Sequence, residues 1–131
     1  MFLKRSKEKG INYYPIKYVT NGLIYQYGDI IYYVNNDYGY TFFSQRAQDS
    51  WGLPVNHLDR LEDSMPTKIV GVLGFRGGTL IQNAKDGRIY LISGSIRRLL
   101  TAPLGDYGFD ISQVIEVSDA EIEFHTEGEN I

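Results

Sequence analysis

Cysteine is absent from the 131 residues, which excludes disulfides and thiolate metal sites. Long apolar runs are absent too. The longest, Ile30-Ile31-Tyr32-Tyr33-Val34, falls far short of the roughly 20 residues a helix needs to span a bilayer. The start, Met1 to Lys7, puts no apolar core of signal-peptide length behind its charges, so synthesis in a cytoplasm without general export is expected, with no membrane partner. The usual marks of catalysis are also missing. No Gly-x-Ser-x-Gly elbow surrounds any serine. Gly74-Phe75-Arg76-Gly77-Gly78 lacks the Gly-Lys-Ser/Thr that completes a phosphate loop and runs on into a strand, so a flexible turn is expected there. The acidic clusters Asp59, Glu62, Asp63 and Asp119, Glu121, Glu123 lack the glycine-bearing spacing of a calcium loop. His57 and His125 have no partner at a metal-ligand spacing and are expected as exposed surface residues. The expectation is therefore of a non-enzyme, with no catalytic residue, no cofactor and no metal.

What the chain does have is aromatic surface. Eleven Tyr and six Phe accompany an apolar fraction of 43% and a charged fraction of 22%, enough to bury a core. Aromatic and β-branched residues suit half-buried pleated surfaces, so strands are expected to dominate. The net charge of −3 gives no reason to expect nucleic acid as the main partner. Its distribution is polar: Lys4, Arg5, Lys7 and Lys9 crowd the first ten residues against Glu8 alone. Glu116, Asp119, Glu121, Glu123, Glu127 and Glu129 fill the last sixteen without a Lys or Arg. These are two solvated ends, or two complementary ones that dock between copies or onto a scaffold.

The chain also repeats itself. Gly22-Leu23-Ile24-Tyr25-Gln26 matches Gly78-Thr79-Leu80-Ile81-Gln82, and Ile31-Tyr32-Tyr33-Val34 matches Ile89-Tyr90-Leu91-Ile92 after a two-residue insertion. Phe42-Phe43-Ser44 meets Leu99-Leu100-Thr101, and Trp51-Gly52-Leu53 meets Tyr107-Gly108-Phe109. Val55, Leu58, Leu61 and Asp63 then align with Ile111, Val114, Val117 and Asp119. Four blocks in one order point to a duplication.

Each copy carries one plan. A glycine turn opens a short strand (Leu23–Gln26; Thr79–Gln82), and a second turn leads into a strongly apolar strand. Asn35-Asn36-Asp37 or Ser93-Gly94-Ser95 then tolerates the positive φ of a hairpin turn, which predicts antiparallel return strands at Tyr40–Phe43 and Ile96–Leu100. Ser44 and Thr101 stand where a hydroxyl caps a helical turn, with Gly52 and Gly108 to end it. Ser118 and Glu121 have capping-box spacing, which predicts a short terminal helix closed by Gly128. The fold class expected is mainly β, a β-rich α+β arrangement of two tandem small antiparallel-sheet modules with short helical turns. An N-terminal arm and lead-in strand would occupy 1–20, the first module 21–66, a linker 67–77 and the second module 78–131.

Ile89-Tyr90-Leu91-Ile92, Gly94, Arg97-Arg98, Gly108-Phe109 and Val114-Ile115-Glu116-Val117-Ser118-Asp119-Ala120-Glu121 resemble a short repeat module of phage virion structural proteins and bacterial surface proteins. Its pattern runs roughly Tyr-Leu-x-x-x-Gly-x-x-Arg, then Val-x-x-Val-Ser-Asp-Ala-Glu. The first copy departs from it, with Leu61-Glu62-Asp63 in place of the Val-Ser-Asp core and no arginine pair after its hairpin. The resemblance implies a structural or binding module.

Two functions follow as expectations. The first is an accessory structural protein of a phage virion, capsid decoration or minor capsid ahead of tail, assembled in many copies on major capsid or tail proteins. The second is a carbohydrate- or wall-binding module of a bacterial surface protein. The interface candidates are Phe2, Leu3, Lys4 and Arg5 on the arm, the aromatics Tyr38, Tyr40 and Trp51, and the pair Arg97 and Arg98. Tyr and Trp are enriched at protein interfaces, and strand alternation sends some of these rings outward.

Overall fold

The computed structural model describes residues 20–58 and 68–131. The interface candidates Phe2, Leu3, Lys4 and Arg5, and the lead-in strand, lie outside the described residues.

The fold is mainly β. Its first sheet is built from β1 (Ile24–Tyr27), β2 (Ile30–Asn35), β3 (Tyr38–Phe42), β4 (Val55–His57) and β5 (Lys68–Leu73), in the order β4-β1-β2-β3-β5. The strands β1, β2 and β3 form an antiparallel meander, and β4 returns parallel to β1. Alternation along β2 buries Tyr32 and Val34, which meet Tyr25 from β1, with Leu23 and Leu58 packed against them. The β2–β3 hairpin closes at Asn35 opposite Tyr38, and both loop residues, Asn36 (φ 51°) and Asp37 (φ 67°), are left-handed. That is the turn whose twist matches a hairpin, and Asn and Asp are the non-glycine residues that tolerate it.

The second sheet contains β6 (Leu80–Asn83), β7 (Ile89–Ser93), β8 (Ile96–Leu99), β9 (Val114–Val117) and β10 (Thr126–Glu127), in the order β10-β8-β7-β6-β9. Read from the other edge, this is the strand order of the first sheet. Again the meander is antiparallel and the strand after the helical turn, β9, runs parallel to the first strand, β6. The modules are therefore mixed sheets; only the meanders are antiparallel.

The backbone correspondence extends to the turns. Positive φ recurs at Gly22 and Gly78, at Gly28 and Gly87, at Asn36 and Gly94, and at Gly52 and Gly108. Gln26 and Gln82 each donate a side-chain amide to the carbonyl of the turn glycine that follows, at 2.9 and 3.0 Å. The sequence alignment needs one correction. Ile24 pairs with Val55 and Leu80 with Val114, so Val55 corresponds to Val114 and not to Ile111. A 3-10 turn at Ile111–Gln113, capped reciprocally by Asp110 and Gln113, is the extra length that displaces the register.

The chain divides into two units that interleave in sequence: one takes the described part of 1–41 and 53–72, the other takes 42–52 and 73–131. The contiguous modules expected over 21–66 and 78–131 are thereby corrected. Helix α1 (Gln45–Ser50), though written in the first copy, belongs to the second unit, where Ala47 joins Phe75, Ile81, Tyr90, Ile92, Val117 and Ile122 in the core. The expected linker 67–77 is also corrected, because most of its length is β5.

Two of the three hydroxyl residues at helix starts cap a helix, and one does not. Ser44 caps α1, accepting from the Ala47 N–H at 3.1 Å, and Gly52 follows it at φ 65°. Thr101 caps nothing: its hydroxyl donates to the Ile131 carbonyl at 2.7 Å, and Pro103 stands at the start of the 3-10 turn Leu104–Tyr107. The capping box at Ser118 and Glu121 opens α2 (Asp119–Glu123). Gly128 does not close that helix, which ends before Phe124; it lies in a tail whose main chain bonds to Arg97 and Leu99.

Candidate functional site

The densest polar cluster in the second unit centres on Glu121, which is only 4% exposed. Its place in the capping box brings the carboxylate back to its own helix start, where Oε1 accepts from the Ser118 N–H at 2.9 Å. Arg46 on α1 reaches the same oxygen through Nη2 at 2.6 Å and spans both oxygens through Nε at 3.2 Å. The Ser44 hydroxyl donates to Oε2 at 2.6 Å while its oxygen caps α1. Burial by itself pushes the Glu121 carboxyl up, but Arg46, the Ser118 amide and the two serine hydroxyls outweigh it and hold the pKa at about 2. Ionised at neutral pH and bonded at both oxygens, this carboxylate ties two helix starts together.

His125 is the second buried polar residue and overturns the expectation of an exposed histidine. It is 2% exposed, whereas His57 does lie at the surface. Nε2 accepts from the Phe75 N–H at 3.0 Å, so Nδ1 carries the proton and donates to the Ser95 carbonyl at 3.0 Å. Burial pushes the imidazole pKa down and the Arg97 guanidinium adds to that, against the Ser95 carbonyl, which favours the charged form. A Cβ on Gly74 would fall 2.4 Å from His125 Nε2, so the ring occupies the space that glycine leaves. The expected flexible turn at Gly74–Gly78 is thus a fixed strut at its start. Phe75 is buried, the Gly74 carbonyl accepts from the Trp51 indole N–H at 3.0 Å, and the Arg76 N–H donates to Ser50 Oγ at 3.0 Å.

The described interface candidates divide between the units, Tyr38 and Tyr40 in the first and Trp51, Arg97 and Arg98 in the second. Tyr38 is the most open of the aromatics named, at 42%. Tyr40 is half-buried, with its ring over Gly71 of β5. Trp51, in the second unit, is tied to Gly74 and meets Phe42 edge-on at 6.4 Å between ring centroids. Arg97 and Arg98 diverge as adjacent strand residues do. Arg97 Nη1 donates to the Ile122 carbonyl at 3.2 Å and to the His125 carbonyl, closing the C-terminal end of α2, and its guanidinium lies 5.7 Å from the centre of the Tyr90 ring. Arg98 Nε donates to the Glu129 carbonyl at 3.1 Å. Both arginines hold the C-terminal segment.

Among the described residues no group of three His, Asp or Glu side chains is placed to hold a metal ion. A groove of about 310 Å³ in the second unit is lined by Ile89, Leu99, Leu100, Pro103 and Leu104, with Arg88 at its side. Arg88 lies 3.7 Å from Asp86, and no convergent polar set faces the groove. Sequence reasoning placed Glu121 in its cap but missed its bond to Arg46, 75 residues away; nothing local signals it. No family model, no curated protein and no solved structure matches the chain.

Proposed function

We propose that this chain is an accessory structural protein of a phage virion, capsid decoration or minor capsid ahead of tail, acting by protein–protein assembly in many copies. The observation that carries this reading is the use made of the reactive side chains. Glu121, His125, Ser44, Arg97 and Arg98 all bond to helix starts, helix ends or backbone carbonyls, so their chemistry serves the fold. The carbohydrate-binding alternative draws less support, since stacking on sugars requires open, coplanar rings. Tyr32 is buried, Tyr40 covers Gly71 and the Trp51 indole is engaged in its own unit.

The basic arm, with Phe2 and Leu3 as anchors and Lys4, Arg5, Lys7 and Lys9 to meet an acidic surface, is the proposed attachment to the particle. Such contacts are screened by salt over a Debye length of about 8 Å at physiological ionic strength. Cryo-microscopy and mass spectrometry of purified particles test the proposal: the chain is expected in many copies on the particle, and deletion of residues 2–9 is expected to release it still folded. Absence of the chain from purified particles refutes the virion reading. Full loading of the truncated chain refutes the role of the arm.

A further inference from the structure

We infer that β5 is a self-pairing edge through which two copies of this chain join antiparallel, making one continuous sheet across the pair. The two sheets share a strand order, so their edges can be compared directly. In the second sheet the strand beside β8 is β10, two residues long and ending in Glu127, an edge blunted by length and charge. The equivalent edge of the first sheet, β5, has six residues, Lys68-Ile69-Val70-Gly71-Val72-Leu73, and one charge at its start. Ile69, Val70 and Val72 are 43%, 44% and 50% exposed. Apolar side chains therefore stand open on both faces of the outermost described strand, which is the form of a strand-addition surface.

The backbone polarity of β5 agrees with this. The Leu73 carbonyl accepts from the Phe43 N–H at 2.8 Å, on the side of β3. By the two-residue period, Lys68, Val70 and Val72 direct their main-chain groups to the opposite side, where a new strand would bond. A two-fold axis perpendicular to the sheet requires opposed residues to share a face. Centring it on Gly71 sets Val70 against Val72 of the second copy and Ile69 against Leu73, all apolar or β-branched pairs. Lys68 then lies beyond the opposing strand, away from its symmetry mate, so no like charges meet. The glycine at the axis leaves a gap that Tyr40 covers, since a Cβ there would lie 3.2 Å from that ring. The second copy is thus the occupant that this edge fits in both side chain and charge.

This inference stands apart from the virion reading, because it is tested on the purified full chain without any particle. Analytical ultracentrifugation over a concentration series is expected to show a reversible dimer. Val72→Lys should weaken it by about tenfold or more, through loss of both Val70–Val72 cross-pairs. Ile111→Lys, at a residue 65% exposed in the second unit, should leave it unchanged. The chain has no native cysteine, so register can be read by disulfide formation. A mixture of Val70→Cys and Val72→Cys chains should cross-link faster than either variant alone, since opposed residues lie about 5.5 Å apart between Cα atoms. The inference is overturned by a monomer at every concentration, by fastest cross-linking of Val70→Cys alone, or by a dimer that Ile111→Lys weakens as much as Val72→Lys. A dimer that forms only after residues 1–19 are removed also overturns it, and assigns the edge to the chain's own lead-in.

Discussion

Replacing Glu121 by Gln keeps the shape of the capping box but removes the charge that Arg46, Ser44 and Ser118 surround. The magnitude follows from the titration. Each pH unit between folded and unfolded pKa is worth about 1.4 kcal/mol, so the drop from 4.5 to about 2 amounts to about 3 kcal/mol. Arg46 is 52% exposed and its attraction is screened by water, which brings the expected loss at neutral pH to about 2 kcal/mol. Because the folded pKa is depressed, this stability is fully present above pH 4.5 and disappears as pH falls towards 2. Trp51 is the sole tryptophan and lies in the second unit, so its fluorescence follows urea unfolding of that unit. Wild type and Glu121→Gln should differ by about 2 kcal/mol at pH 7 and converge near pH 2. Asp110 and Asp119 have lowered pKa values in both proteins, so only the difference between the two curves is diagnostic. Parallel curves from pH 7 to pH 2 would refute the reasoning, because the buried carboxylate would then contribute the same whether charged or not.

The two histidines should separate cleanly: His57→Asn is expected to stay within about 0.5 kcal/mol of wild type, as surface changes do. His125→Asn should lose about 2 kcal/mol through broken bonds to Phe75 and Ser95, measured by the same fluorescence. The folded His125 pKa is depressed, so protonation opposes folding, and stability of the second unit should fall as pH drops below 6.5. An unchanged slope in His125→Asn over that range would sink this account. Gly74→Ala should cost about 1–3 kcal/mol, since the new methyl group meets the His125 and Phe124 rings. Wild-type stability in that variant would show that the ring has room to move.

Local signals were the ones the sequence carried. The strand alternation of Ile31 to Val34, the left-handed turn at Asn36-Asp37, the caps at Ser44 and Ser118, and the recurrence of Gly22 at Gly78 all act over a few residues. Each is decided by sterics or a short-range hydrogen bond, and so can be read before any fold is known. Such reasoning failed where a group's partner lies far along the chain. Thr101 had a capping position but found the Ile131 carbonyl, 30 residues on. The stretch 67–77 had glycines and a nearby proline, yet most of it became β5 because β3 offered it an open edge.

The candidate residues divide in the same way. Composition and pattern by themselves determined a β-rich chain of two like sheets, with strongly aromatic strands and basic and acidic ends. Tertiary structure alone decided that α1 belongs with the second unit and that Arg46 meets Glu121. It also decided that His125 is buried and that Arg97 and Arg98 hold the tail. The physical reason is that burial is a property of packing. A histidine or glutamate beside any given neighbours is charged and exposed in one fold, buried and bonded in another, and only the elements that close over it choose between them.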